Sequence, residues 1–131
     1  MTKRRHPEAD LQRAVAQYLD TVLKPPAFWF HVPNGERRDA RTGAMLKAMG
    51  VKPGVADCLL FYETEDGDGC LFLNVLAIEL KVGKGKPSEA QKDFRKKLEK
   101  VGGNYIICTS IRDVSDALVA FSVPTKGRIA A

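Results

Sequence analysis

Apolar and polar positions alternate along this chain with two periods, and the changes between them divide it into elements. Over 8–23, EADLQRAVAQYLDTVL, the apolar residues Leu11, Val15, Tyr18, Leu19 and Val22 recur at helical spacing. Pro7 suits a first helical position, where its missing N–H costs nothing, and Pro25-Pro26 ends the segment. FWFHV, 28–32, reads as a strand with Phe28 and Trp29 in the core, and Pro33-Asn34-Gly35 turns the chain. The Gly-containing stretch from Gly35 to Gly50 has Ala40, Ala44 and Ala48 at helical spacing, but its weak apolar pattern reads as a partly mobile loop. Lys52-Pro53-Gly54 is a second turn.

VADCLLFYE has the length of a buried strand, ETEDGDG is an acidic hairpin loop, and CLFLNVLAIELKV is a longer strand. SEAQKDFRKKLEKV places Phe94, Leu98 and Val101 on one helical face, with Gly102 as its stop. NYIICTS is a strand, and IRDVSDALVAF is a last helix capped by Ser110. The chain from Ser122 onward is polar and reads as a frayed tail. The strand–helix–strand unit from Leu71 to Thr109 predicts a right-handed parallel crossover, and the hairpin before it adds an antiparallel neighbour. The expected fold is α/β, a mixed central β-sheet flanked by helices. One domain over 8–121 is expected, with an N-terminal arm over 1–7 and a flexible tail over 122–131.

One strand breaks its own pattern. In LAIELKV, Leu76, Ile78, Leu80 and Val82 alternate as buried positions, yet Glu79 and Lys81 fall between them. Residues two apart on a strand share a face, roughly 7 Å apart. A dry core would not repay the desolvation of such a pair, whereas a wet cleft would let both groups reach a ligand. Antiparallel pairing brings Asp57, at the start of the preceding strand, level with Glu79. Two neighbouring carboxylates repel unless a cation lies between them. A hard divalent ion with oxygen ligands fits, since Mg²⁺ takes one or two carboxylates and keeps other positions for water and phosphate. Lys81 would face the same phosphate or the attacking water. The plainer readings are a structural ion pair for Glu79 and Lys81, and a polar strand entry for Asp57.

Composition narrows the partners. The 131 residues carry 44% apolar and 28% charged side chains, ordinary for a globular protein, and no apolar run approaches a membrane span of roughly 20 residues. The basic N-terminus has no apolar segment after it, so no secretory signal is read there and a cytoplasmic location is expected. A net charge of +5 favours an anionic partner, nucleic acid first. The three cysteines, Cys58, Cys70 and Cys108, lie in or beside apolar strands and read as buried free thiols. With two histidines and no CxxC spacing, zinc is not expected.

Asp57 followed after a hairpin by Glu79-Leu80-Lys81 resembles the PD-(D/E)XK nuclease superfamily. HVPNGERR, GVKPGVADCLLF, AIELKVGKGKPSEAQ and VGGNYIICTS together resemble its VRR-NUC branch, in the stand-alone phage or bacterial form, from about Glu8 to Phe121. Ala56 stands where the superfamily motif has proline. The resemblance implies a restriction-endonuclease-like αβββαβ core and a Mg²⁺- or Mn²⁺-dependent endonuclease for branched DNA, such as a Holliday junction, in replication, repair or recombination. A symmetric homodimer, the commonest oligomer, is expected because it would place two sites on such a junction. Asp57, Glu79 and the Leu80 backbone carbonyl would hold the metal, with Glu8 completing the site. Lys81 would act on water or phosphate, and Gln91 would support it.

Glu8 also suits a first helical turn by complementing its dipole. Gln91 also suits an S-x-x-Q capping box with Ser88, a role expected to compete with a site role for the same amide atoms. Arg37, Arg38, Arg41, Lys47 and Lys52, with Lys84 and Lys86, flank the proposed cleft in sequence and are candidate phosphate contacts. His31 and Asn34, in HVPNG, are candidate DNA contacts or plain turn residues. The alternative function is a DNA-binding module without catalysis.

Overall fold

The computed structural model describes residues 6–33 and 39–127. Eight elements follow in chain order: α1 (Pro7–Val22), β1 (Phe28–His31), α2 (Ala40–Ala48), β2 (Cys58–Glu65), β3 (Leu71–Leu80), α3 (Glu89–Lys100), β4 (Asn104–Cys108) and α4 (Ile111–Ala120). The sheet order is β1-β2-β3-β4, with β1–β2 and β2–β3 antiparallel and β3–β4 parallel. The expected mixed sheet is thus present, and β3 is internal.

Period-2 alternation splits the sheet into two faces. One face carries Cys58, Leu60 and Tyr62 of β2 with Leu76, Ile78 and Leu80 of β3, packed under Val15, Leu19 and Val22 of α1 and Val114 and Leu118 of α4. The other face carries Leu59, Ala77, Tyr105 and Ile107, covered by Phe94 and Leu98 of α3. Arg95 lies over the Tyr105 ring, 5.1 Å from its centroid, and adds a cation–π contact to that layer. Glycines hold the turns: Gly102, at φ +96, ends α3 in the left-handed region.

Several local expectations are corrected. The stretch read as a loop contains α2, because Asp39 caps it by accepting the Thr42 N–H at 2.7 Å. Ser122–Gly127 is held rather than frayed: Val123 is buried, Lys24 N–H donates to Pro124 O at 3.1 Å, and Lys126 N–H donates to Val22 O at 2.9 Å. A single apolar residue among polar ones has no period, so the pattern concealed this contact. Cys70 is exposed in the hairpin loop, whereas Cys58 and Cys108 are buried. Val101 caps the end of α3 and is exposed, so it leaves the face of Phe94 and Leu98. Phe28 is exposed as well, stacked on Phe61 at 5.1 Å, while its neighbour Trp29 packs on the core and donates to Asp20 at 2.7 Å. No helix of the described residues is long and apolar enough to cross a membrane.

Candidate active site

The register of the hairpin sets the site. Cys58 pairs with Ile78, so Asp57, the residue before β2, comes level with Glu79 near the end of β3. Asp57 Oδ2 accepts the Leu80 N–H at 2.8 Å, which fixes this carboxylate against the neighbouring strand. Lys81 lies just beyond β3, and its N–H still donates to Cys108 O at 3.0 Å, so the backbone beneath the site is held from both sides.

Glu79 is 3% exposed and is the one buried charged residue among those described. Its Oε1 accepts from Gln91 Nε2 at 3.0 Å and lies 3.8 Å from Lys81 Nζ. Its Oε2 is buried and has no hydrogen-bond partner. Burial pushes the Glu79 carboxyl up to about 8, the like charge of Asp57 adds to the rise, and Lys81 opposes it. An ionised Glu79 here lacks enough positive charge around it. That is the deficit a cation would fill.

Gln91 joins the parts. Its Oε1 accepts from Lys81 Nζ at 2.9 Å and from the Ser88 N–H at 2.9 Å, while Ser88 Oγ accepts the Gln91 N–H at 3.2 Å. The capping box is complete, and the same side chain serves the cleft. The expected competition does not arise, since an amide oxygen has two lone pairs and the NH₂ is left for Glu79.

These groups open into a cleft of about 510 Å³, also lined by Glu8, Ala9, Gln12, Arg13, His31, Pro33 and Leu80. His31 Nδ1 lies 2.7 Å from Asp57 O, and since a carbonyl only accepts, Nδ1 carries a proton. Glu8 lines the cleft from the exposed first turn of α1. Among the described residues no three His, Cys, Asp or Glu side chains gather into a ready metal cage. The donors present still suit Mg²⁺ or Mn²⁺: two carboxylates, one with an orphaned buried oxygen, and a backbone carbonyl at Leu80, with room for water.

The sequence pattern missed Gln12 and Arg13. Gln12 is four residues from Glu8, so the helical period puts both on the cleft side of α1, and that spacing was the available signal. Gln12 Nε2 donates to Cys58 Sγ at 3.5 Å. Among the candidate phosphate contacts, Arg41, Lys47, Lys52, Lys84 and Lys86 are exposed and do not line the cleft. Asn34, Arg37 and Arg38 lie outside the described residues.

No protein-family model and no curated protein matches the chain. Among solved structures it is similar to a "VRR_NUC domain protein", with a TM-score of 0.66 and 22% identity over 93% of each chain. The chain has the fold of that VRR_NUC domain protein, a mixed sheet flanked by helices in the restriction-endonuclease-like arrangement expected from the sequence resemblance.

Proposed function

We propose that the cleft is the active site of a metal-dependent endonuclease that hydrolyses DNA phosphodiesters. The observation that carries this reading is the buried, unpartnered Glu79 Oε2 beside Asp57, with the Lys81 ammonium held 3.8 Å from the same carboxylate. An unpartnered buried carboxylate oxygen is costly in a purely structural ion pair and is explained by a bound cation.

Asp57, Glu79 and the Leu80 carbonyl would hold Mg²⁺ or Mn²⁺, with Glu8 reaching it across the cleft. Such an ion supplies Lewis-acid stabilisation of the charge that builds on the phosphate. Lys81 spends one N–H on Gln91 and keeps two for a phosphoryl oxygen or the attacking water. Water adds to phosphorus and the bond to the 3′ oxygen breaks, giving a 3′ hydroxyl and a 5′ phosphate. Gln91 orients Lys81 and Glu79 together. His31, on the cleft wall, and Lys84 and Lys86, in the loop after β3, would contact the DNA backbone.

The resemblance to stand-alone VRR-NUC nucleases supports a finer reading: branched DNA as substrate, in replication, repair or recombination inside a bacterial or phage-infected cell. A C2 homodimer, the commonest closed oligomer, would present two clefts to one junction. The test is purified protein with labelled four-way, flap, nicked, single-stranded and linear duplex DNA in Mg²⁺, Mn²⁺ or EDTA. Preferred cutting of four-way junctions in metal is expected. Binding without cutting of any substrate would favour the non-catalytic DNA-binding module.

A further inference from the structure

Among the described residues two apolar surfaces are bare, and neither belongs to the cleft. The first is the end of the sheet that α3 leaves uncovered. Phe28 and Phe30 stack on Phe61 from either side, at 5.1 and 5.6 Å, and the register puts Leu71 and Leu73 on the same face. Phe28, Phe30, Leu71 and Leu73 are all exposed. The second is α2. None of its side chains is buried, and none packs on either core cluster. Met45 and Met49, one turn apart, and Val51 just beyond them are exposed. A nine-residue helix has little stability of its own in water, so α2 calls for a covering partner.

The surfaces are complementary in charge. Covered together, their exposed side chains would bury on the order of 800 Å² per chain, one side of a standard interface. α2 and the turn after it carry Arg41, Lys47 and Lys52, with Asp39 spent on the cap. The sheet face is edged by Glu63, level with Leu73, and by the hairpin acids Glu65, Asp66 and Asp68. That acidic edge repels phosphate, which argues against the aromatic face as a platform for nucleic-acid bases. Methionine against aromatic rings is a favourable pairing.

We propose that α2 of one copy docks on the Phe28–Phe30–Phe61 face of a second copy, and reciprocally. A two-fold axis covers both surfaces on both chains at once. The inference rests on the homodimer reading above and names its surface; it does not depend on the cleavage chemistry.

The test is oligomeric mass by light scattering for the full chain and for Phe30→Glu, Met45→Glu and Met49→Ala. The wild type runs as a dimer. Phe30→Glu and Met45→Glu run as monomers with circular dichroism unchanged, and Met49→Ala, at a position 75% exposed and so neutral for folding, weakens dimerisation at least tenfold. Mixing Phe30→Glu with Met45→Glu restores some dimer, because one of the two helix-on-face contacts is then wild type. A wild-type monomer would overturn the dimer itself. A dimer that survives all three substitutions would overturn this surface while leaving the dimer standing. Failure of the mixture to recover would overturn the reciprocal helix-on-face arrangement.

Discussion

Lys81 Nζ donates to Gln91 Oε1 at 2.9 Å, closer than the 3.8 Å that separates it from Glu79. The lysine hydrogen-bonds the neutral amide directly and makes a longer ion pair with its carboxylate neighbour. The amide bridges the two ends of this ion pair, accepting from Lys81 and donating to Glu79, and so orients each. The first turn of α3 thus fixes the geometry at the end of β3.

Substitutions at the first turn of α3 should separate capping from site support. Gln91→Ala removes the contacts to Lys81 and Glu79 and half of the capping box. It should lower kcat/KM by about 10–100-fold, as for other groups that orient ligands. Ser88→Ala removes only the cap oxygen and should cost about 1 kcal/mol in denaturant unfolding with a much smaller effect on cleavage. Equal losses of activity in the two variants would contradict the assignment.

Stability of the metal-free protein should fall as pH rises. The Glu79 carboxyl titrates at about 8 in the fold against an ordinary value of 4.5, so the folded state binds the extra proton. Its contribution is fully present below about 4.5 and is lost as pH rises through about 8. Thermal melts in EDTA should show Tm falling across this window, and Glu79→Gln should flatten the slope. Mg²⁺ should raise Tm more at the alkaline end, where the carboxylate is free to bind it. A Tm independent of pH in the metal-free wild type would count against the burial argument.

Gly54 should tolerate no side chain. At φ +79 a Cβ there would lie 2.3 Å from the Ala90 carbonyl carbon and oxygen and 2.7 Å from Gln91 N, all backbone. Gly54→Ala should therefore cost at least about 2 kcal/mol, by left-handed strain plus overlap. It should also lower cleavage by shifting the turn that carries Gln91. Denaturant unfolding of the variant checks the first part, and near-wild-type stability would show that the turn does not rest on α3.

The pairing of Asp57 with Glu79 was legible in the sequence because a hairpin converts spacing into register, and period 2 converts register into a shared face. The crossover and the capped helices were legible for similar local reasons. The double use of Gln91 was not, since it depends on two lone pairs of one oxygen and on how closely α3 approaches β3. The sequence of α2 reads as a loop because its apolar residues face neither core cluster, although Asp39 and Thr42 carry a cap signal. The pattern places Phe28 in the core because alternation marks which residues share a face, not how far a covering helix extends. Val123 was missed because one contact with the α1 end has no periodicity.

The central claim is that Asp57, Glu79 and Lys81 form a metal-dependent phosphodiesterase site. Its most direct test compares wild type, Glu79→Ala and Lys81→Ala on labelled branched DNA, measuring cleavage in Mg²⁺ and in EDTA and binding by mobility shift. The expected result is wild-type cleavage that EDTA abolishes, and variants that bind DNA nearly as well but do not cut. Cleavage that resists EDTA, or a variant that cuts at the wild-type rate, would contradict it.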